Sequence, residues 1–542
     1  MSIETEKKNQ SVQVDIEEVK SQAQALVVQN KDGEEIKRAQ IVDQPTTTKW
    51  EVLMYALYYF GNNATGPYTF TPTQYQNLLS QSGWIKGKRN VSCSDDPNGL
   101  CVVSFAGTVK TVNSVVLINL GIGFALQSVV FLFLGGLSDY GQYGSWVLIG
   151  LSIMSWGVQF GFLGVHDGRK HEAAFALSVL SSLGYQGCQS FWTAMFPRLA
   201  RNLPKTRAAE EKMLNGEILE SEYHKVDSYY RNKITNYSFA FSMFGFTLVC
   251  AISIGILKSM DSTANQANNN WAMSVCIMFA TIWWIVFGTP WFFTEKKRIN
   301  EKLPEGVSYL SLPLKQLGYA FKSFLKLRQT ALYLFSYWLL GDGLNTAISL
   351  QSTIQNEVIS YNMVTSMYLN IVNGVTSVIG VVMFWWIQKT FKISTRNMYI
   401  VCSVFITLFP IYGLIGMWTN RIGFHNIWEE WFYNAYSGIF IAPYYAYSST
   451  MMSEVCPRGK EFVFFAIFST INKTSSFIGP FVSSAIIDDT GNNNSGFSFL
   501  VGICCVSLAS SFFLNQDKAR VQAEEFLIEE KRRIANGESL IF

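Results

Sequence analysis

Asp342 is the residue whose chemistry is hardest to reconcile with an ordinary core. It lies in Trp338-Leu-Leu-Gly-Asp-Gly-Leu-Asn-Thr346, within an apolar run from Ala331 to Leu350. Such a run can span a membrane. Counted from Ala331 at about 1.5 Å per residue, Asp342 lies roughly 17 Å into a hydrocarbon core about 30 Å thick. A carboxylate at that depth is costly, and it marks a transport pathway, a proton relay or an internal ion pair. A second charge, Lys473, falls about 17 Å along a run that begins near Phe462, which places it at the same depth. A pair between them would relieve the burial cost of each and could be made and broken as a proton or substrate binds. A permanent structural pair, or a lysine snorkelling to the surface, would use the same residues.

Polar groups elsewhere could share that level. Tyr59-Phe-Gly-Asn-Asn-Ala-Thr65 can be laid on Leu339 to Thr346 with one gap, and Asn62 lies about 18 Å from Trp50 along a helix. Asn62 and Asn63 could serve a central site or join helices by hydrogen bonds. A small zwitterion needs an anion for its ammonium, a cation or N–H for its carboxylate, and an apolar or aromatic pocket. Asp342, Lys473, Gln186, Gln189, Trp192, Asn345, Asn472 and the tyrosines Tyr433, Tyr444, Tyr445 and Tyr447, with Asn434, supply those types. Each aromatic residue could equally anchor at an interface. Glu429 and Glu430 open one run, where they attract cations or cap a helix. His166, His171, His224 and His425 have no metal-ligand company, so no metal or cofactor is expected. No Walker A loop is present either, so ATP-driven transport and enzyme chemistry are not expected.

These residues need membrane helices to position them. Composition agrees: 49% hydrophobic, 15% aromatic and only 15% charged residues define a polytopic membrane protein, and a net charge of +3 is too small to argue for nucleic acid. Apolar runs recur at about 50–74, 114–137, 145–165, 172–195, 236–257, 271–293, 330–353, 364–388, 398–418, 428–452, 462–487 and 496–514. The first is broken by Gly61, Asn62, Asn63, Gly66, Pro67 and Pro72, which is tolerated where a helix lines a cavity. The expected organisation is a tail at 1–49 read as disordered, six helices in 50–293, a linker at 294–329, six helices in 330–514 and a tail at 515–542. Within the linker, Leu314, Leu317, Phe321 and Phe324 recur at helical spacing among lysines, as in a basic helix lying on a membrane surface. The charged stretch 197–235 reads as mobile surface helices.

Most Lys and Arg residues fall in the tails and in the connections on the same side, which places both termini in the cytosol. Of the Asn-x-Ser/Thr sequons, Asn90 and Asn493 fall in loops on the other side, where glycosylation is chemically open. Cys93 and Cys101 share the first of those loops and could form a disulfide or remain free thiols.

Gly135-Gly-Leu-Ser-Asp-Tyr-Gly-Gln-Tyr-Gly144 resembles the cytosolic loop motif of the major facilitator superfamily, without its following basic residues. That resemblance assigns Gly135, Asp139 and Gly141 to a gating loop. Tyr447 to Phe465, followed by Asn472-Lys-Thr-Ser-Ser-Phe-Ile-Gly-Pro480, resembles the signature of the family typified by autophagy-related protein 22, the fungal vacuolar amino-acid effluxers of that superfamily. Asp342 to Thr346, the surroundings of Asn62, Ser138 to Tyr140 and Phe196 to Arg201 fit at corresponding places. The resemblance implies an all-α protein of twelve transmembrane helices in two six-helix halves, of major facilitator type. It implies export of neutral amino acids such as leucine from the vacuole to the cytosol after autophagy, with proton coupling as an option. Where the family usually has an arginine near the end of the tenth span, this chain has Ser449, which leaves Lys473 to meet a substrate carboxylate. A transporter-like membrane sensor or scaffold is the alternative reading.

Overall fold

The structure is a computed structural model. It describes residues 44–93, 101–112, 143–298, 327–457 and 492–535, with gaps at 263, 359–362, 420 and 491, together with 27–29, 35–37 and separate positions within 115–130 and 464–490. The expected spans at 114–137 and 462–487 lie largely outside these residues. So do the linker helix, Asn472, Lys473 and the motif residues Gly135, Asp139 and Gly141.

The chain is mostly helical. After a small hairpin of β1 (Val27–Gln29) and β2 (Glu35–Lys37), α1 (Lys49–Gly61) starts at Thr48, whose hydroxyl accepts from the Glu51 N–H at 3.1 Å. Thr47, just before α1, is anchored. Thr47 is buried, its N–H donates to the Asn202 carbonyl and its hydroxyl to Leu199 O at 2.9 Å.

A π-helical segment (Thr65–Phe70) and α2 (Thr71–Gln81) follow α1, and then four short strands: β3 (Trp84–Ile85), β4 (Lys88–Ser92), β5 (Cys101–Phe105) and β6 (Thr108–Thr111). They form an antiparallel sheet in the order β4-β3-β5-β6, in which Cys93 and Cys101 are disulfide-bonded. This sheet modifies the all-α expectation. The long helices are α3 (Tyr143–Gly161), α4 (His171–Arg201), α5 (Pro204–Leu214), α6 (Glu220–Ser259) and α7 (Gln266–Thr294), then α8 (Arg328–Val358), α9 (Met363–Phe391) and α10 (Thr395–Ile415). They are followed by α11 (Ile427–Tyr436), a second π segment (Ser437–Ile441), α12 (Ala442–Val455), α13 (Phe497–Phe512) and α14 (Gln516–Ala535). Helix α6 has 40 residues, about 60 Å of helix, so its first turns project beyond any membrane core. Within the stretch expected to be mobile, Asp227, Arg231 and Asn232 of that projection are buried.

Among the described residues, six helices are long and apolar enough to cross a membrane: those at 143–164, 221–259, 266–294, 367–391, 395–415 and 494–512. Helices α4 and α8, each of 31 residues, are long enough but too polar to join that set. Helices α1 and α11 are interrupted by π segments. The polar and broken elements are the ones that carry the candidate site.

Candidate functional site

Asp342 is 5% exposed, on α8, so it does not face the outside of the bundle. Its Oδ1 accepts from the Gly479 backbone N–H at 3.0 Å and from the Thr346 hydroxyl at 3.4 Å. Among the described residues no cation touches it. Glycine is required at 479, because a Cβ there would come within 2.2 Å of Thr346 Oγ1 and 2.8 Å of Asp342 Oδ1. The segment that carries Gly479 also carries Lys473, which lies outside the described residues.

The first membrane-level element is broken at the asparagines. Asn62 caps the end of α1, and its N–H donates to the Tyr58 carbonyl at 2.8 Å. Ala64 takes the left-handed conformation (φ 69°), which is unfavourable for a residue with a Cβ and persists where the surroundings enforce it. Asn63 supplies that enforcement. Its Nδ2 donates to Phe60 O at 3.0 Å, and its Oδ1 accepts from the Thr65 N–H at 3.2 Å and the Thr65 hydroxyl at 2.6 Å. Asn63 therefore builds the break. Asn62 is different: it is 1% exposed, and neither side-chain atom has a hydrogen-bond partner among the described residues. Native structures rarely leave a buried amide in that state.

The packing around α1, α4 and α12 is aromatic. Tyr55 stacks on Trp192 of α4 at 4.4 Å, and the two exchange bonds: Tyr55 OH to Trp192 O at 3.0 Å, and Trp192 Nε1 to Tyr55 O at 3.2 Å. Tyr59 packs on the same indole at 4.3 Å. From α12, half-buried Tyr445 lies within electrostatic reach of Tyr59 and Tyr185 before the linker and of Tyr337 after it. Buried Tyr444 packs among Tyr337, Tyr399 and Tyr445 at 5.6 to 6.3 Å. Gln186, Gln189 and Asn345 are half-buried. Ser449 donates to the Tyr445 carbonyl at 2.9 Å and offers no charge.

The expected residues thus divide. Asn63 and Tyr444 are held in internal contacts; among the described residues Asp342 has no counter-charge and Asn62 no side-chain partner, and no direct bond joins the two. Gly479 and Tyr445 gain importance that their types alone did not signal. Glu429 is a structural cap: it accepts from the backbone N–H groups of Gly423, Phe424, His425 and Asn426 and from the Tyr412 hydroxyl, at 2.7 to 3.1 Å. Away from this level, Asn90 is exposed on β4, and Asn493 begins a 3-10 turn (Asn493–Gly496).

At the end of the bundle opposite the sheet, the segments before and after the linker are tied together. Arg231 of α6 donates to the Ser453 carbonyl, and Ser228 to Glu454 Oε1 at 2.5 Å. Asn232 donates to Thr395 at 2.7 Å, and Arg520 of α14 pairs with Glu454 Oε2 at 3.0 Å. Nearby, Arg298 forms a two-pronged pair with buried Glu51, at 2.8 and 3.0 Å. Ser145 donates to Glu295 at 2.5 Å, and burial pushes the Glu295 carboxyl above its ordinary range.

The family described as "Vacuole effluxer Atg22 like" matches residues 47–524. The chain is similar to autophagy-related protein 22 of Yarrowia lipolytica, 22% identical over 474 residues, covering 78% of this chain and 79% of that protein. It is also similar to autophagy-related protein 22-1 of Phaeosphaeria nodorum, 21% identical over 503 residues, covering 84% and 88%. Among solved structures it is similar to the major facilitator superfamily proton:xylose symporter XylE (TM-score 0.59, 12% identity, covering 88% of this chain and 98% of that one). The transporter FucP in its outward conformation is similar at TM-score 0.54 and 12% identity, covering 86% and 99%. At these identities the structural likeness establishes the fold, which is that of a major facilitator transporter.

Proposed function

The chain belongs to the Atg22-like vacuole effluxer family, and from that membership we propose that it is a secondary transporter moving neutral amino acids or similar small zwitterions from the vacuole lumen to the cytosol. Asp342 carries the proposal. It is a carboxylate buried at mid-membrane depth, held by one backbone N–H and one hydroxyl, with no cation among the described residues. A group in that state is stabilised by a proton or by a substrate ammonium. The break at Asn62 supports the same reading, since discontinuous helices present unpaired polar groups to a substrate at the membrane midplane. The tyrosines around Tyr445 would enclose an apolar side chain.

In this reading the chain has twelve spans, six in 50–293 and six in 330–514, with α1, α4, α8 and the pair α11–α12 lining the cavity. That assignment accounts for their being polar or interrupted while α3, α6, α7, α9, α10 and α13 are apolar. Both termini lie in the cytosol, and the disulfide-bonded sheet faces the lumen, where oxidised cysteines and a glycan on Asn90 are at home. The bonds of Arg231, Ser228 and Glu454 then close the cytosolic mouth. Opening it requires those bonds to part and the two halves to rock about the fixed site. The test is uptake of a panel of radiolabelled amino acids by proteoliposomes holding the full chain. Saturable flux of at least one neutral amino acid is the expected result, and absence of flux for every solute would favour a transporter-like sensor.

A further inference from the structure

The tenth membrane segment carries a second buried carboxylate, separate from Asp342. Glu430 follows the capping Glu429 in α11, yet its situation is opposite. It is 0% exposed, its Oε2 accepts one bond from Gln351 Nε2 at 2.5 Å, and its Oε1 has no partner among the described residues. Among the described residues the surroundings offer no counter-charge there. Helix α8 presents Gln351 and Gln355, of which Gln355 Oε1 accepts from Asn434 Nδ2 at 3.1 Å. Helix α9 presents Asn373, whose amide donates to the Asn434 carbonyl at 3.2 Å. On its own helix the ionisable neighbours are Glu429 and Tyr433, with Tyr412 of α10 beyond Glu429. Among the described residues the nearest charged group is thus another carboxylate, Glu429.

We propose that Glu430 is a proton-binding site, distinct from Asp342, through which transport is coupled to a proton gradient from the lumenal side. This rests on the transport reading above. Three features favour a proton over a metal cation: one carboxylate oxygen is unused, Gln355 Oε1 is already committed to Asn434, and the described neighbours do not form an oxygen cage. With the proton on, the carboxyl is neutral and its burial is tolerable. When water reaches it, the carboxyl O–H bond breaks, the proton passes to water and the carboxylate is left solvated.

The link to Asp342 is α8. Gln351, which holds Glu430, lies about 13 Å beyond Asp342 along the same helix. Helix α11 runs directly into the π segment, where Gly380 of α9 packs so closely that an added Cβ would lie 2.4 Å from Ile439 O. A shift of α8 relative to α11 therefore changes the Gln351–Glu430 contact while the packing behind it stays fixed.

The experiment uses full-length protein in proteoliposomes with radiolabelled leucine. Leucine counterflow is measured without a gradient, accumulation is measured under an imposed pH gradient, and leucine-dependent proton flux is followed with pyranine. Glu430→Gln should retain counterflow and lose both gradient-driven accumulation and proton flux, and Glu430→Asp should restore part of both. Wild-type gradient response in Glu430→Gln would overturn the proposal. So would loss of counterflow in both variants, which would mark Glu430 as structural, or accumulation driven by a sodium gradient alone in the wild type. Wild-type counterflow without any response to pH would overturn proton coupling but leave transport standing. Absence of wild-type counterflow for the whole amino-acid panel would instead sink the transport reading itself.

Discussion

At the scale of single residues, the account depends on which buried polar groups are satisfied. Among the described residues Asn62 has no side-chain partner, so Asn62→Ala should leave thermal stability of the purified protein unchanged or slightly raised while weakening uptake at low substrate concentration. If Asn62 instead held helices together, the same change would cost about 1–3 kcal/mol and lower the melting temperature. Glu51 is the contrasting case: Glu51→Ala leaves Arg298 without its partner in a buried setting and should cost about 3–5 kcal/mol, read by thermal unfolding. Glu295 gives a pH dependence whose sign is fixed. Its carboxyl is raised by burial, so the folded state holds this proton more tightly than the unfolded chain does. Its contribution is present below the ordinary carboxylate range and is lost as pH rises through the raised value. Glu295→Gln should remove that decline, and melting curves of both proteins across pH would show it. The sequence made Asp342 conspicuous through its burial cost. It could not identify Gly479, whose role comes from a contact across 137 positions of chain, and it left Glu429 and Glu430 equivalent although one is a cap and the other is nearly unpartnered.

At the scale of elements, breaks matter more than helices. The first was legible, because Gly61, Asn62, Asn63, Gly66 and Pro67 interrupt an apolar pattern and the chain turns at Ala64 among them. The π segment at Ser437–Ile441 was not legible, since its residues fit an α-helix equally well and the extra residue per turn arises from the close crossing with α9. Gly380→Leu should therefore separate α9 from that segment, costing about 1–3 kcal/mol or more and abolishing transport, whereas the same change at open Gly150 should be tolerated. Size-exclusion profiles and uptake together would distinguish the two. The sheet β3 to β6 also escaped the reading. Its strands are two to five residues long, too short for a period-2 pattern to stand out, and two of them, β4 and β6, are largely polar.

At the scale of the molecule, a multi-span helical membrane protein was legible from the recurrence of apolar runs and the major facilitator fold from the resemblance in its motifs, with which the likeness to solved transporters of that superfamily agrees. The closure at the end opposite the sheet was not, because Ser228, Arg231, Thr395, Glu454 and Arg520 come from four separate helices and none is unusual in its own segment. Glu454→Gln should weaken the bond to Arg520 and the tie to Ser228. Spin labels placed on α6 and α12 at that end should then show a longer distance. The central claim is that Asp342, rather than the fold alone, carries transport. The most direct measurement is amino-acid flux in proteoliposomes for wild type beside Asp342→Asn, a change that keeps shape and removes charge. The account predicts correctly folded protein with flux abolished, and full wild-type flux in Asp342→Asn would contradict it.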